Sequence, residues 1–371
     1  MANFFGFRAV GQGLFYTGSI LDGEYKFVYD CGTDNSQCYV EREVRRFSAR
    51  CRKKELDFVV LSHLHHDHYS GLQELMHNFN VKCIYLPYLG NNRNLIDLVL
   101  AYSTFVESRN DEADIEENYS VFRFMQQLYN GESVIMGAEK IFLGREGSDS
   151  EDDSEYIHTH RMFDFNRDGR PYWEFQLLNK TYNRAKMKMF EDAVDKLIAN
   201  SGKTIRELID SNQIELIKQV YEEVFGKGNN LNLSSTVLVH YPVDTNKRFR
   251  IAGRSYDCIC ARECFNANMA ITMLTGDAQV DRWEVSYLNS LSLNCGGILQ
   301  VPHHGSYNNW CSLGSVRDNF NAMVISSGLC GNHGLPSART VDDIILNRGA
   351  RLYLVNQNQG FYYSIITNRC I

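Results

Sequence analysis

Short apolar runs separated by turn residues dominate positions 1–92. GLFYTGSIL, a turn at Asp22-Gly23, EYKFVYDCG and LDFVVLSH mix β-branched and aromatic residues over the length of a strand. Such runs suit a pleated, partly buried surface and predict strands. Between the second and third, EREVRRFSARCRKK reads as a charged helix. LDFVVLSH is apolar until it ends in histidine, as expected of a buried strand that delivers polar groups from its C-terminal end. GLQELMHNF then reads as a crossover helix and IYLPYL, residues 84–89, as the next strand, which predicts a βαβ unit.

From 93 to 228 the period changes. LIDLVLAYSTFVE and YSVFRFMQQLY suit helices. After residue 184 the apolar positions repeat at helical spacing: Phe190, Val194, Leu197 and Ile198, then Ile205, Leu208 and Ile209, then Ile214, Ile217, Tyr221 and Val224, with Gly226 as a C-cap. Inside this stretch EGSDSEDDSE, residues 146–155, carries six acids without an apolar anchor, which predicts a mobile surface loop. Strands return in STVLVHYP, MAITMLTGD, GILQVPHHG, AMVISSG, RLYLVNQ and FYYSIITN. The pattern predicts an α/β protein whose core is discontinuous, residues 1–92 and 229–371, interrupted by a mainly helical insertion at 93–228.

Composition narrows the class. With 371 residues, 44% hydrophobic and 12% aromatic, the chain can bury a large core. No window approaches the ~20 apolar residues a bilayer span needs. MANFFGFRAVGQG lacks the basic and apolar regions of a secretion signal, so the expected compartment is the cytoplasm, with no membrane partner. Eleven cysteines, an odd count without framework spacing, suit reduced thiols. A formal charge of -7 argues against a general nucleic-acid coat protein. The basic segment of Arg42, Arg45, Arg46, Arg50, Arg52, Lys53 and Lys54 leaves room for a local groove, with a solvated helix face as the plainer reading.

Against that background, four of the 11 histidines fall within six positions, in His63-Leu64-His65-His66-Asp67-His68. Side chains two apart on a strand share a face, so His63 and His65 can grip one cation, while the turn into the next helix brings Asp67 and His68 to a second. His66 sits between ligands and need not touch metal. Three later strand ends supply partners: Asp277 in LTGDA, where a carboxylate can bridge two cations, His303 and His304 in VPHHGS, and His333 in GNHGLP.

These motifs, in this order, resemble those of the metallo-β-lactamase fold hydrolases, and among them the soluble hydrolase domain of the DNA-uptake protein ComEC and its stand-alone relatives. AVGQG is similar to that group's opening turn, FVYDCG to its first acidic motif, LSHLHHDHYSGL to its metal signature, and LNLSSTVLVHY to its Asn/Ser strand. LTGDA, LQVPHHGS and GNHGLP, with NRGARLYLVNQNQG, follow as its later motifs. The positions where the group carries acids beside its glycines are Ala9 and Leu14 here. A third zinc histidine is not evident, and His240, His158 or His160 are candidate substitutes.

The resemblance implies an αββα sandwich with the 93–228 insertion as this protein's own addition. It implies a metal-dependent hydrolase, a phosphodiesterase or nuclease acting on nucleic acid or nucleotides through a hydroxide held by two divalent cations. Zinc is the first expectation and manganese the alternative. His63 and His65 would hold the first cation, Asp67 and His68 the second, with Asp277 between them. One of His303 and His304 would add a ligand, and the other would face substrate as an electrophile or proton donor. Asp30 would orient the histidine loop from behind. His333 would be a ligand or a substrate contact. Rival readings are a small-molecule hydrolase for a cyclic nucleotide, phosphoester, lactone or thioester, and a non-enzymatic sensor or assembly subunit of a defence or uptake system. Oligomeric state and protein partners are not readable from the sequence.

Overall fold

The computed structural model describes residues 3–87, 93–107, 115–130, 138–143, 158–180, 184–225, 235–243, 249–255, 263–267, 270–279, 297–329, 334–348 and 350–367. Its first strands and helices run β1 (Asn3–Phe7), β2 (Phe15–Ile20), β3 (Tyr25–Cys31), α1 (Cys38–Arg50), β4 (Glu55–Leu56), β5 (Phe58–Val60), α2 (His66–Tyr69), α3 (Leu72–Asn78) and β6 (Asn80–Leu86). Then come α4 (Arg93–Tyr102), a π-helical turn at Ser103–Glu107, α5 (Ile115–Tyr129), β7 (Ala138–Leu143), β8 (His158–Arg167), β9 (Arg170–Lys180), α6 (Arg184–Ser201), α7 (Ile205–Asp210) and α8 (Ile214–Phe225). The last part holds β10 (Val237–Pro242), β11 (Phe249–Ser255), β12 (Glu263–Ala267), β13 (Ile271–Leu274), β14 (Gly297–Gln300), β15 (Ala322–Ser326), β16 (Arg351–Val355) and β17 (Phe361–Thr367), with short helices at Tyr307–Ser312 and Ala338–Asp342.

The strands form two sheets. One has ten strands in the order β12-β11-β17-β1-β2-β3-β5-β6-β4, with β7 also on β6; the other has seven, β16-β15-β14-β13-β10-β9-β8. Alternation along each strand builds the layers. In β3 and β5, Phe27, Tyr29, Phe58 and Val60 point between the sheets, while Val28, Cys31 and Val59 point to an outer helical layer. In β10, Leu238 faces the other sheet, and Val237, Val239 and Tyr241 face a second outer layer with Trp310, Leu313 and Ile344. The result is the expected αββα sandwich. The predicted βαβ unit is present, with β5 and β6 parallel. Its second strand ends at Leu86, earlier than IYLPYL suggested, because Pro87 has no N–H for a ladder.

The 93–228 stretch supplies more than helices. Helices α4 to α8 pack on the outer face of the first sheet through Leu95, Val99, Phe122, Val194, Leu208, Ile217 and others. The same stretch also contributes β7, parallel to β6, and the β8–β9 hairpin, which adds two strands beside β10. Residues 146–155 and Gly226 lie outside the described residues.

His240, a candidate substitute ligand, is buried between the sheets with both ring nitrogens engaged. The Trp173 indole N–H donates to Nδ1 at 3.2 Å, so the ring proton sits on Nε2, 2.9 Å from the Tyr16 hydroxyl. No lone pair is left for a cation, and burial pushes the pKa from 6.5 down to about 3. A pKa depressed on folding means that the unfolded chain binds the proton more tightly. The stability His240 contributes is therefore complete above pH 6.5 and is lost as pH falls toward about 3. A His240→Gln protein should start about 1 to 3 kcal/mol less stable at neutral pH, yet lose less stability than the wild type on acidification through that window. Urea unfolding at stepped pH measures both, and identical pH slopes would refute the assignment.

Candidate metal centre

The candidate residues converge at the C-terminal ends of parallel strands from both sheets. Asp30 is the next-to-last residue of β3, His63 and His65 follow β5, and the chain turns into α2 with Asp67 and His68. From the second sheet, Asp277 follows β13, His303 and His304 follow β14, and Ser326 ends β15, three strands paired in parallel. Ends of parallel strands are where open α/β sheets gather function. Asp30, His303 and His304 have left-handed backbones, with φ of 54°, 49° and 50°. Non-glycine residues hold such angles only when their surroundings impose them.

Four imidazoles share one orientation. The Ser62 hydroxyl donates to Asp30 Oδ2 at 2.7 Å, so its oxygen accepts from His63 Nδ1–H at 2.9 Å. His68 Nδ1–H donates to Asp30 Oδ2 at 2.8 Å. His304 Nδ1–H donates to the Ser326 carbonyl at 2.7 Å, and His303 Nδ1 lies 3.3 Å from Asn309 Oδ1. In every case the other nitrogen, Nε2, turns toward two carboxylates. It lies 3.7 Å from Asp277 Oδ2 for His63, 3.2 Å from Asp277 Oδ1 for His68, 2.7 Å from Asp67 Oδ2 for His304 and 3.8 Å from Asp277 Oδ2 for His303.

This arrangement fits a cation. Nε2 of His63, Nε2 of His68 and Oδ1 of Asp277 are buried without a hydrogen-bond partner, and ligating atoms of these three residues lie within 4.8 Å of one another. Orphaned buried polar atoms are costly, and a divalent ion would satisfy all three. Asp67, His68 and His304 form a second such group. One Nε2 lone pair serves one cation, so His68 can complete either group but not both at once.

Charge runs the same way. Burial opposes charge on Asp67 and Asp277, yet His68, with His304 for both and His303 for Asp277, outweighs it and holds both carboxyls below the usual range. Burial likewise opposes charge on His68 and His304. Asp67, Asp277 and Asp30 lift His68 well above 6.5, and Asp277 and Asp67 lift His304 to about 9. Burial pushes His63 well below 6.5 and His65 to about 4. Two anionic carboxylates and two readily neutral imidazoles are a suitable donor set for a divalent ion.

The sequence reading paired His63 with His65. The geometry groups His63 with His68 and Asp277 instead, with the His65 ring 4.5 Å from that of His63. Of the pair left open, His304 stands in a candidate ligand group and His303, 15% exposed against 4% for His304, does not. His66 turns away to Asp34, 3.3 Å from its Oδ1. His333 lies outside the described residues, and the side chains of His158 and His160 are not described. Sequence reasoning missed Ser62, Ser326, Gln300 and Asn309. It quoted AVGQG as an opening-turn motif but did not foresee that the main chain of Gly13 and Leu14 clasps the site: Leu14 N–H donates to the Asp67 carbonyl at 3.1 Å, and the Gly13 carbonyl accepts from Ser326 Oγ at 2.7 Å. Leu14 and Ala9, which stand where acids were expected, are buried.

The basic segment is largely occupied. Arg42 donates to the Ala9 and Gln357 carbonyls, Arg45 pairs with Glu41 and Glu74, and Arg46 with Glu43.

Residues 16–118 match the family model of the metallo-beta-lactamase superfamily. No curated protein matches the chain. Among solved structures, the metallo-beta-lactamase fold protein YhfI from Bacillus subtilis is similar at 10% identity, over 98% of this chain and 100% of that one, with a TM-score of 0.39. Unliganded yeast PDE1 is similar at 8% identity, over 98% and 100%, with a TM-score of 0.37. A superfamily protein from the archaeon Sulfolobus tokodaii is similar at 16% identity, over 52% and 75%, with a TM-score of 0.22.

The turn that presents Asp277 depends on one glycine. Gly276, at φ +53°, precedes Asp277, and a Cβ there would come within 2.6 Å of the Ser62 side chain. Gly276→Ala should cost about 1 to 3 kcal/mol of stability through backbone strain alone, and more where Ser62 is pushed off Asp30. Denaturant unfolding tests this; an unchanged midpoint would refute both the strain and the Ser62 clash.

Proposed function

We propose that this protein is a metal-dependent hydrolase of phosphodiesters. The observation that carries this reading is the shared orientation of His63, His68, His303 and His304, each with Nδ1 toward an acceptor and Nε2 toward Asp67 or Asp277. Such pre-set tautomers are what ligating imidazoles need. His63, His65, His68, Asp67, Asp277 and His304 are the proposed ligands, with His333 as a further candidate. A divalent ion there supplies positive charge for a phosphoryl oxygen and acidifies water. Zinc suits the imidazole-rich set and manganese the carboxylates.

The chain's own residues do the rest. Asp30 keeps the His63 and His68 tautomers fixed through Ser62 and directly. His303, at the more open side, is placed to exchange a proton with the substrate or leaving group. The likeness of the motifs to ComEC-type domains supports a phosphodiester as the bond cleaved. Arg42, Arg45 and Arg46 of the basic segment pair with Glu43, Glu41 and Glu74 within the fold, so these three add no support for a polymer over a nucleotide.

The test joins metal analysis to a cleavage panel of single-stranded DNA, duplex DNA, RNA and cyclic nucleotides. The wild type should take up divalent ions and cleave at least one phosphodiester. Asp67→Ala should lower turnover about a thousand-fold, the scale of several kcal/mol of transition-state charge stabilisation. A metal-replete protein that leaves the whole panel intact would sink the reading.

A further inference from the structure

Asp277 sits on a loop gripped by two side-chain amides that are not metal-binding groups. Gln300, at the end of β14 and 3% exposed, uses both ends of its carboxamide on the turn before Asp277. Its Oε1 accepts from the N–H groups of Thr275 and Gly276, both at 2.7 Å, and from the Thr275 hydroxyl at 3.0 Å. Its Nε2 donates to the carbonyls of Gly276 at 3.0 Å and Val301 at 3.1 Å. The Gly276 carbonyl also accepts the N–H of His303 at 3.1 Å, so the same turn sets where the double-histidine segment starts.

Asn309 closes the grip from the far side. It lies in the short helix Tyr307–Ser312, is 6% exposed, and donates from Nδ2 to the main-chain carbonyl of Asp277 itself at 2.9 Å. The same amide turns its Oδ1 toward His303 Nδ1, 3.3 Å away. One amide thus fixes the backbone before Asp277 and the other fixes the backbone at Asp277 together with the His303 ring. A carboxylate that must meet His63 and His68 at one point works only within a narrow range of position, since coordination distances tolerate errors of about 0.2 Å.

We propose that Gln300 and Asn309 are positioning residues of the metal centre, acting through Asp277 and His303; this rests on the hydrolase reading above. The alternative is that they only stabilise the fold. The two roles separate by measuring divalent-ion affinity on folded protein rather than stability or turnover alone.

The variants are Gln300→Met and Asn309→Leu, close in volume but without hydrogen-bonding groups, and Asn309→Ala as a milder change should either fail to fold. Gln176→Met is the control, because Gln176 is another buried amide, bonded to Glu174 and Tyr241 in the second sheet. Zinc and manganese affinities are measured by chelator competition, after circular dichroism has shown each protein folded. The positioning variants should bind about 10- to 100-fold more weakly, the usual cost of losing a group that orients a ligand, and Gln176→Met should bind as the wild type does while melting earlier. Wild-type affinity in the folded Gln300 or Asn309 variants overturns the proposal and leaves the hydrolase reading standing. A wild type that binds neither ion overturns both.

Discussion

A single buried carboxylate organises the histidine loop. Asp30 is fully buried and accepts from the Ser62 N–H at 2.7 Å, the Ser62 hydroxyl at 2.7 Å and His68 Nδ1 at 2.8 Å. Burial alone would drive its pKa up, and it does rise, held back by His68 and Ser62. An uncompensated carboxylate in this position would cost several kcal/mol; these donors offset that cost and hand on its orientation. Through Ser62 the same carboxylate reaches His63, so one acid on β3 sets two imidazoles on opposite sides of a turn. The parallel pairing of β3 with β5 is what puts acid and loop side by side.

Around this lock, the second sheet repeats the principle with neutral groups. His304 is oriented by a main-chain carbonyl, His303 by an amide, and the turn before Asp277 by another amide. The two halves then meet through main chain: the Gly13 carbonyl accepts a hydrogen bond from Ser326 Oγ, while Leu14 N–H donates to the Asp67 carbonyl. Glycine is required where this happens. A Cβ on Gly13 would sit 2.7 Å from the Asp67 carbonyl oxygen, and one on Gly32 2.6 Å from the Asp67 carbonyl carbon. The AVGQG turn therefore serves the site by close backbone approach, with its Ala9 and the adjoining Leu14 buried.

Chemistry was readable where residue type and spacing carried it, and unreadable where a partner's position did. The density of histidine in 63–68 and the strand-end motifs at 277 and 303–304 pointed to one place, and the sheets bring them there. Ser62 and Gln300 lie inside or beside apolar strands, where a polar residue advertises nothing about the main chain it will meet. The β8–β9 hairpin was overlooked although Asp168-Gly169, both at positive φ, is a strong hairpin turn; the helical periods on either side masked its strand alternation. His240 shows the converse case. An imidazole on a strand looks like a spare ligand until Tyr16 and Trp173 are seen to use both its nitrogens.

The long stretch between the two halves of the site has a physical tie to it. Tyr69 directly follows His68, and its hydroxyl lies 2.7 Å from Thr104 Oγ1 and 3.2 Å from Ser103 Oγ. Both hydroxyls are fully buried at the start of the π-helical turn that continues α4. π-helical turns are rare and recur where a helix must present particular groups. Here the widened turn presents two hydroxyls to Tyr69, which extends from the end of the histidine loop into the outer helical layer. Because Tyr102, one residue earlier, stacks on Tyr221 of α8 at 3.6 Å between ring centroids, the tie runs on into that layer. The helical layer thus braces α2 from behind through Tyr69, although among the described residues neither α4 nor α8 supplies a member of the candidate ligand groups.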